Sequence, residues 1–491
     1  MAKCPPVLTF QPRRPILEPI ARKGPSGVLK IYNTLSGQLE EFRPLSENRV
    51  HMYTCGPTVY DFAHIGNFRT FVFEDILKRY LRFKGLRVKH VMNITDVDDK
   101  TIRNSGATEP KTLREYTDRF TWAFLEDCEN LRIDKPDLIV HATDHIEDMV
   151  GMIQRLQAKG YTYEKEGSVY FKIANFKDYG KLSRLNLEGI KAGARVDVDE
   201  YEKQDARDFV LWKASKNGEP YWESALGPGR PGWHIECSAM SMKYLGETFD
   251  LHCGAVDLIF PHHENEIAQS EAYSGKPFVR YWMHGEHLIV EGERMAKSKG
   301  NYFTLRDLVA QRSIDPLAVR YSLLSVPYKR QLNFTFDAIR QAGSSLKRLQ
   351  DLMLRLSTEE LKPGRSDKIQ TLTAGALQKF EQAMDDDLNT AQALAAIFDW
   401  VREVNTALAE NNLHEEDRAA ALQTMEKFNE VLQLWKAPDL HLDDRVHDLI
   451  EQRNRARKAR NFALADQIRD RLYEMGYSIE DTKEGVRWKK R

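Results

Sequence analysis

Cys55, Cys237, His262 and Glu266 combine two thiols, an imidazole and a carboxylate, a donor set that suits zinc. The last two lie in Phe260-Pro261-His262-His263-Glu264-Asn265-Glu266, where a four-residue step puts His262 and Glu266 on one face of a helix. Cys237 closes Gly232-Trp233-His234-Ile235-Glu236-Cys237, and Cys55 lies far upstream. The spacing is not that of a compact zinc finger. His263, His252, His234 or Cys253 therefore compete as ligands, with His262 then in a supporting place, and the cysteines can also be read as inert core residues.

Two further strings are of the kind that meets phosphate. His64-Ile65-Gly66-Asn67 falls where a strand turns into a helix, and a glycine there admits a phosphate to the unpaired N–H groups of the helix start. A histidine at that point can donate to charge developing on a phosphoryl oxygen. Arg294-Met295-Ala296-Lys297-Ser298-Lys299-Gly300-Asn301 is a basic loop whose lysines reach outer phosphates, assisted by Ser298 and backbone N–H groups. Alone, each string reads equally as a solvated loop; together they describe two sides of a nucleotide site.

These residues need a frame. The run 50–55 reads as a strand, 67–84 as a helix with Phe71, Ile76, Leu77, Tyr80 and Leu81 at helical spacing, and 86–92 as a second strand. That is a nucleotide-binding strand–helix–strand unit, so an α/β Rossmann-like domain is expected over 28–330. Helical patterns recur near 112–131 and 144–159, and 160–232 reads as an irregular insertion. Strands resume at 249–253 and 278–290 around a helix at 264–273. Long helices follow over 331–445, and 446–491 forms a small α+β module, while the Pro-rich, basic residues 1–27 read as a loose extension.

Bulk properties agree. The 491 residues exceed one core and, at 42% hydrophobic and 30% charged with net charge −1, fit a globular protein that meets nucleic acid through a local patch. Neither a run of ~18 apolar residues nor a secretory signal is seen. The five scattered cysteines suit reduced thiols in a cytoplasmic setting.

The chain resembles the cysteinyl-tRNA synthetases, which are class I aminoacyl-tRNA synthetases. The resemblance rests on Tyr53-Thr54-Cys55-Gly56-Pro57-Thr58-Val59-Tyr60-Asp61, His64-Ile65-Gly66-Asn67, Asn93-Ile94-Thr95-Asp96-Val97-Asp98-Asp99-Lys100, the strings around Cys237 and His262, and Arg294–Ser298. It extends from about Val28 to the C-terminus and implies ATP-dependent activation of L-cysteine followed by transfer to the 3′ end of tRNA-Cys. It implies one Zn2+ per chain on Cys55, Cys237, His262 and Glu266, taking the substrate thiolate. It further implies ATP, with Mg2+, at Gly66, Asn67, Asp257, Lys297 and Ser298, with His64 and Lys297 stabilising the transition state. Trp233 would cover the bound cysteine and Thr95 would contact its amino or carboxylate end. Asn67, Arg294 and Ala296 depart from the family's usual His, Lys and Ser.

Asp385-Asp386-Asp387-Leu388-Asn389-Thr390 also matches the family, in the helices that support the tRNA. Beyond it, Arg453, Arg455, Arg457, Lys458 and Arg460 with Trp488 suit phosphate contact and base stacking, as expected where an anticodon is read. A monomer is expected. The competing readings are a ligase joining cysteine to an amino-sugar, which would need no tRNA-reading module, and a catalytically silent tRNA-binding paralogue.

Overall fold

The computed structural model describes residues 27–184, 208–436, 444–482 and 485–490; the expected extension, except Gly27, lies outside them. The contacts divide the chain into two units, Met1–Leu346 with Leu361–Leu434, and Lys347–Glu360 with Trp435–Arg491.

The first unit opens with the hairpin β1 (Lys30–Asn33) and β2 (Gln38–Glu41). The chain then runs through β3 (Arg49–Thr54), α1 (Ile65–Phe83), β4 (Arg87–Ile94), α2 (Asp99–Ser105), α3 (Pro110–Asn130) and β5 (Leu138–His141). After α4 (Ile146–Ala158) come β6 (Thr162–Lys165), β7 (Ser168–Phe171), β8 (Phe209–Ala214) and β9 (Gly229–Pro231). Next are α5 (Trp233–Leu245), β10 (Phe249–Ala255), α6 (Glu264–Ser274), β11 (Val279–Gly285), β12 (Leu288–Val290) and β13 (Glu293–Arg294). The unit continues with α7 (Leu305–Arg312), α8 (Pro316–Leu324), β14 (Leu332–Phe334), the first half of α9 (Phe336–Thr358), whose residues from Lys347 on belong to the second unit, and then α10 (Asp367–Asp385), α11 (Thr390–Ala409) and α12 (Glu415–Leu432).

Five parallel strands form the central sheet in the order β11-β10-β3-β4-β5. The later residues of β4 are buried on both faces, as a covered parallel strand requires. The chain builds outward from β3 to β5, then returns to β10 on the other flank, so the order reverses between β3 and β10. That is the switch point at which open α/β sheets bind ligands, outside the carboxyl ends of the strands.

Helix α1 obeys its local signals but exceeds the apolar stripe read from the sequence. Its buried residues include Arg69, Glu74, Asp75 and Lys78 because α12 and α8 cover the side that does not face the sheet. Burial is costly for polar groups without partners, and among the described residues Arg69, Asp75 and Lys78 find them while both carboxylate oxygens of Glu74 do not. Arg320 Nη2 donates to Asp75 Oδ2 at 2.6 Å, both side chains fully buried, while its other nitrogens donate to Leu131 O and Leu432 O.

The insertion corrects the expectation of an irregular segment. Its described residues form an antiparallel sheet, β6-β7-β8-β9. Glu166 and Gly167, both at positive φ, supply the tight turn between β6 and β7. Residues 185–207 lie outside the described set.

The Asp385–Thr390 string ties the helices to the α/β fold within this unit. Asp385 accepts from Tyr80 Oη at 2.7 Å and pairs with Lys84. Asp387 accepts from Tyr328 Oη and Tyr32 N, and Thr390 Oγ1 donates to Leu324 O. Among the described residues, no helix is long and apolar enough to cross a membrane.

In the second unit, α13 (Asp444–Lys458) packs on α14 (Phe462–Glu474) and the hairpin β15 (Tyr477–Thr482) and β16 (Gly485–Lys490) follows. Val446, Leu449, Ile450, Ile468, Leu472 and Tyr477 make its core.

Candidate active site and metal centre

Cys55 sits immediately beyond β3, and its N–H donates to Cys253 O at the end of β10, across the switch point. Gly56 next to it is required, because a Cβ there would lie 1.7 Å from Asn93 O. From β10 the chain turns through Phe260, in extended conformation, and becomes helical by His263, which brings His262 and His263 back under the end of β3. Helix α5 contributes Cys237, and α6 contributes Glu266.

Donor atoms of Cys55, His262, His263 and Glu266 all lie within 4.8 Å of one another, and all four residues are buried. Cys55 Sγ is 3.3 Å from His263 Nε2 and 3.8 Å from Cys237 Sγ, and His262 Nε2 is 3.0 Å from Glu266 Oε1. The structure thus gathers three of the four sequence-derived donors, Cys55, His262 and Glu266, with His263, and sets Cys237 beside Cys55. The claim of His263 was left open by the sequence, because spacing along a helix does not tell which neighbouring imidazole turns inward.

The electrostatics are those of a cation site. Burial would raise the Cys237 thiol, but hydrogen bonding with Cys55 and the charge of His262 bring it down to about 6. Burial likewise opposes ionised Glu266, yet His252 and His262 hold it at about 2. Cys55 is pushed well above the usual thiol range by burial and by Cys237. Behind the donors, His252 Nε2 contacts Glu266 Oε2 at 2.9 Å and His234 Nδ1 contacts His262 Nδ1 at 2.9 Å. His263 Nδ1 meets His284 Nε2 at 2.8 Å, and His284 Nδ1 meets Thr34 Oγ1 at 2.7 Å. Each imidazole is oriented by a second partner, the usual support of a metal ligand. Thr34 and His284 carry no local signal in the sequence.

The amino-acid-contact candidates flank this cluster. Trp233 opens α5, and its ring stacks on His262 with centroids 4.1 Å apart and planes at 24°. Thr95 is buried, and its hydroxyl donates to Glu236 Oε2 at 2.8 Å while accepting from Asn93 Nδ2.

The phosphate-type strings converge on the start of α1. His64 is its N-cap: Nδ1 accepts from Asn67 N at 3.2 Å, and Asn67 Oδ1 accepts from His64 N at 3.1 Å. Burial, seconded by the charge of Lys297, lowers His64 to about 4, so the ring is neutral near pH 7. With Nδ1 accepting, the proton of a neutral imidazole belongs on Nε2, which makes that nitrogen a donor. A Cβ on Gly66 would lie 2.9 Å from the His64 ring, so the cap needs glycine there.

Lys297 lies in a single turn after β13. Its Nζ donates to Asp61 Oδ2 at 2.6 Å and sits 5.0 Å from the Tyr302 ring, which meets the His64 ring edge-on. Asn301 braces the turn through Ala296 N and Arg294 O. Ser298 is exposed, as is Asp257 just beyond β10, whose charge bears on His64. Asp61 and Tyr302 escaped the sequence reading because their relation to Lys297 is purely tertiary.

In the second unit, Arg455, Arg457, Lys458 and Arg460 are exposed, but Arg453 is only 2% exposed. Arg453 must be struck from the surface candidates. It follows Leu449 and Ile450 by helical steps and so shares the buried stripe of α13. Phe462, 59% exposed, follows Arg460 at the start of α14 and was missed. Trp488 belongs to β16, and its side chain lies outside the described set.

Comparison with known proteins resolves the class and then the family. Residues 41–344 match the model for the tRNA synthetases class I (C) catalytic domain, 379–436 the DALR domain, and 439–488 the cysteinyl-tRNA ligase anticodon binding domain. The fold is shared with Mycobacterium tuberculosis methionyl-tRNA synthetase in complex with methionyl-adenylate (TM-score 0.56, 17% identity, 79% of this chain and 90% of that one). It is also shared with a putative arginyl-tRNA synthetase from Campylobacter jejuni (TM-score 0.52, 13% identity, 79% and 92%). Fold and site therefore define a class I aminoacyl-tRNA synthetase.

Full-length relatives narrow this further. A cysteine–tRNA ligase of Solibacter usitatus is 54% identical over 94% of this chain and 100% of its own length, and one of Koribacter versatilis is 49% identical over the same shares. The chain belongs to the cysteine–tRNA ligase family.

Proposed function

We propose that the chain activates L-cysteine with ATP, releasing pyrophosphate, and transfers the cysteinyl group to the 3′ end of tRNA-Cys. The observation that supports this most is the sharing of one crossover. Cys55 of the metal-type cluster and His64 of the phosphate site bracket the same β3–α1 connection, so a small thiol substrate and a nucleotide meet at one switch point.

In the first step, a cysteine carboxylate oxygen bonds to the α-phosphorus of ATP, entering as its magnesium complex, while the bond to pyrophosphate breaks. Such a transfer needs positioning and charge stabilisation more than covalent help. His64 supplies a neutral Nε2–H donor whose tautomer is held by the helix cap. Lys297 exchanges its Asp61 contact for phosphate oxygens, with Ser298, the Asn67 amide and the N–H groups around Gly66 assisting. Asp257 receives the ribose. In the second step, a hydroxyl of the terminal ribose attacks the cysteinyl carbonyl and AMP leaves.

Cys55, Cys237, His262 and Glu266 would hold one zinc ion, with His263 beside them. When bound, that ion supplies a soft centre that favours a thiolate over a serine hydroxyl, beyond the roughly 10–200-fold that apolar pockets reach with near-isosteres. Trp233 closes over the amino acid, and Thr95 faces its polar end. We assign residues 28–330 to catalysis, 331–445 to tRNA support and 446–491 to the anticodon, where Phe462 offers a stacking face among Arg455, Arg457, Lys458 and Arg460. The four described cysteines, all buried and unpaired in disulfides, suit a reducing cytoplasm.

The test is cysteine-dependent ATP–pyrophosphate exchange, with serine as control and tRNA charging alongside. Exchange with cysteine alone, followed by charging, is expected. Exchange without charging would favour a small-molecule cysteine ligase, and no exchange by folded, zinc-loaded protein would indicate a silent paralogue.

A further inference from the structure

We propose that Asp99 is a positioning residue for the amino-acid pocket, anchoring the insertion sheet, and with it Trp233, to the connector between β4 and α2. The proposal rests on reading the site as one that activates cysteine.

The string Asn93–Lys100 runs from the end of β4 through the connector into the first turn of α2, and most of its polar groups are engaged elsewhere. Asn93 Oδ1 accepts from Gly56 N, Thr95 reaches Glu236 on α5, Asp96 accepts from Thr143, and Asp98 caps α2. Asp99 needs none of these bonds and caps nothing. Its Oδ2 accepts instead from Lys213 Nζ at 2.8 Å and its Oδ1 from Arg230 Nη2. Those cations sit on β8 and β9, with side chains only 6% and 2% exposed, and Arg230 also pairs with Glu219 at 3.2 Å. Burial opposes an ionised Asp99, yet Lys213 and Arg230 hold it down at about 2, so the contact is ionic at any working pH.

Arg230 and Trp233 are separated by two stiff residues. Pro231 has a fixed φ. Gly232 is pressed on β8, where a Cβ would lie 2.1 Å from Val210 O, leaving no slack between the anchored strand and the tryptophan. The indole then stacks on His262, a member of the metal-type cluster. Thr95 and Asp99, four residues apart, thus staple the connector to α5 and to the insertion sheet, the two elements that meet at Trp233. With the Asp99 side chain itself 40% exposed, the contact is only partly buried and is better suited to fixing geometry than to adding stability.

The test uses full-length Asp99→Asn and Asp99→Glu in the exchange assay, with zinc content and melting temperature recorded. Because displacements of about 1 Å cost up to ~100-fold, Asp99→Asn should raise KM for cysteine by ~10-fold or more. KM for ATP and kcat should move no more than about twofold, as for sites that do not couple, and zinc should be retained. Asp99→Glu should recover part of the loss. In a Trp233→Ala background, Asp99→Asn should add nothing further to KM for cysteine. Equal rises in KM for cysteine and ATP, a fall in kcat alone, or additivity with Trp233→Ala would overturn the proposal. Should Asp99→Asn fail to fold, Arg230→Lys keeps the charge and loses the fork; it is expected to show the same KM pattern, and wild-type KM would refute the idea. Absent exchange in the wild type would overturn the reading of the site itself, whereas normal wild-type exchange with unshifted variants overturns this proposal alone.

Discussion

At the scale of the residue, His64 does two jobs that can be separated. Its Nδ1 caps α1, and its Nε2 is left as the donor proposed to meet the nucleotide. His64→Asn retains a good N-cap, so stability by urea denaturation should stay within about 0.5 kcal/mol, whereas His64→Ala should lose about 1 kcal/mol. Both should lower kcat of cysteine-dependent exchange ~100- to 1,000-fold, the usual loss for one preorganised donor. Gly66→Ala should mimic part of this defect by pushing the ring aside, read as a lower kcat with zinc content unchanged. For the metal-type cluster, Cys237→Ala should lose zinc by metal analysis and cysteine-dependent exchange together. Full retention of both would remove Cys237 from the ligands. The departure at Asn67 also has an account: its side chain completes the cap by accepting from His64 N, a task that needs a carbonyl oxygen rather than a charge.

At the scale of the element, α1 shows where periodicity stops informing. The spacing of Phe71, Ile76, Leu77, Tyr80 and Leu81 announces a helix, but not that its other side is covered. Asp75 lies off that apolar spacing and is the fully buried partner of Arg320. Asp75→Ala should therefore cost about 3–5 kcal/mol by leaving a buried charge uncompensated, measurable as a lower urea midpoint. The insertion errs in the opposite sense. Its glycines and charges suggested irregular chain, yet Glu166 and Gly167 at positive φ close a hairpin, and β7 and β8 are buried strands.

At the scale of the whole molecule, the histidines withdrawn from solvent contribute a response to acid. His64 is held at about 4 and His90 and His284 at about 3, in each case by burial foremost. The unfolded chain takes up these protons near pH 6.5 and the fold refuses them until about 3 to 4. At these three groups the unfolded state thus binds more protons in that window, so their contribution to stability falls as pH drops through it, while Glu74 and Glu236, which burial raises well above the usual carboxylate range, contribute with the opposite sign. Chemical denaturation at pH 7, 5.5 and 4.5 checks this, and His90→Gln should flatten the slope. Deleting residues 446–491 should leave cysteine-dependent exchange in place while reducing tRNA charging by at least ~100-fold; unchanged charging would dismiss the anticodon assignment. That loss is what removing the phosphate contacts proposed for Arg455, Arg457, Lys458 and Arg460 would cause.

The sequence by itself indicated the candidate chemistry: which side chains could ligate a metal, which loops could meet phosphate, and that the His64 string falls where a strand turns into a helix. Those features are local, since donor type, helix spacing and a glycine at a helix start act over a few residues. Tertiary structure decided what depends on distance in space. It placed His263 against Cys55, paired Lys297 with Asp61, buried Arg453 on the inner stripe of α13, and joined Asp99 to Arg230 across 131 positions of chain. Such pairings leave no trace in a neighbour's identity, because burial and partner choice are settled only when the sheet order brings remote strands together.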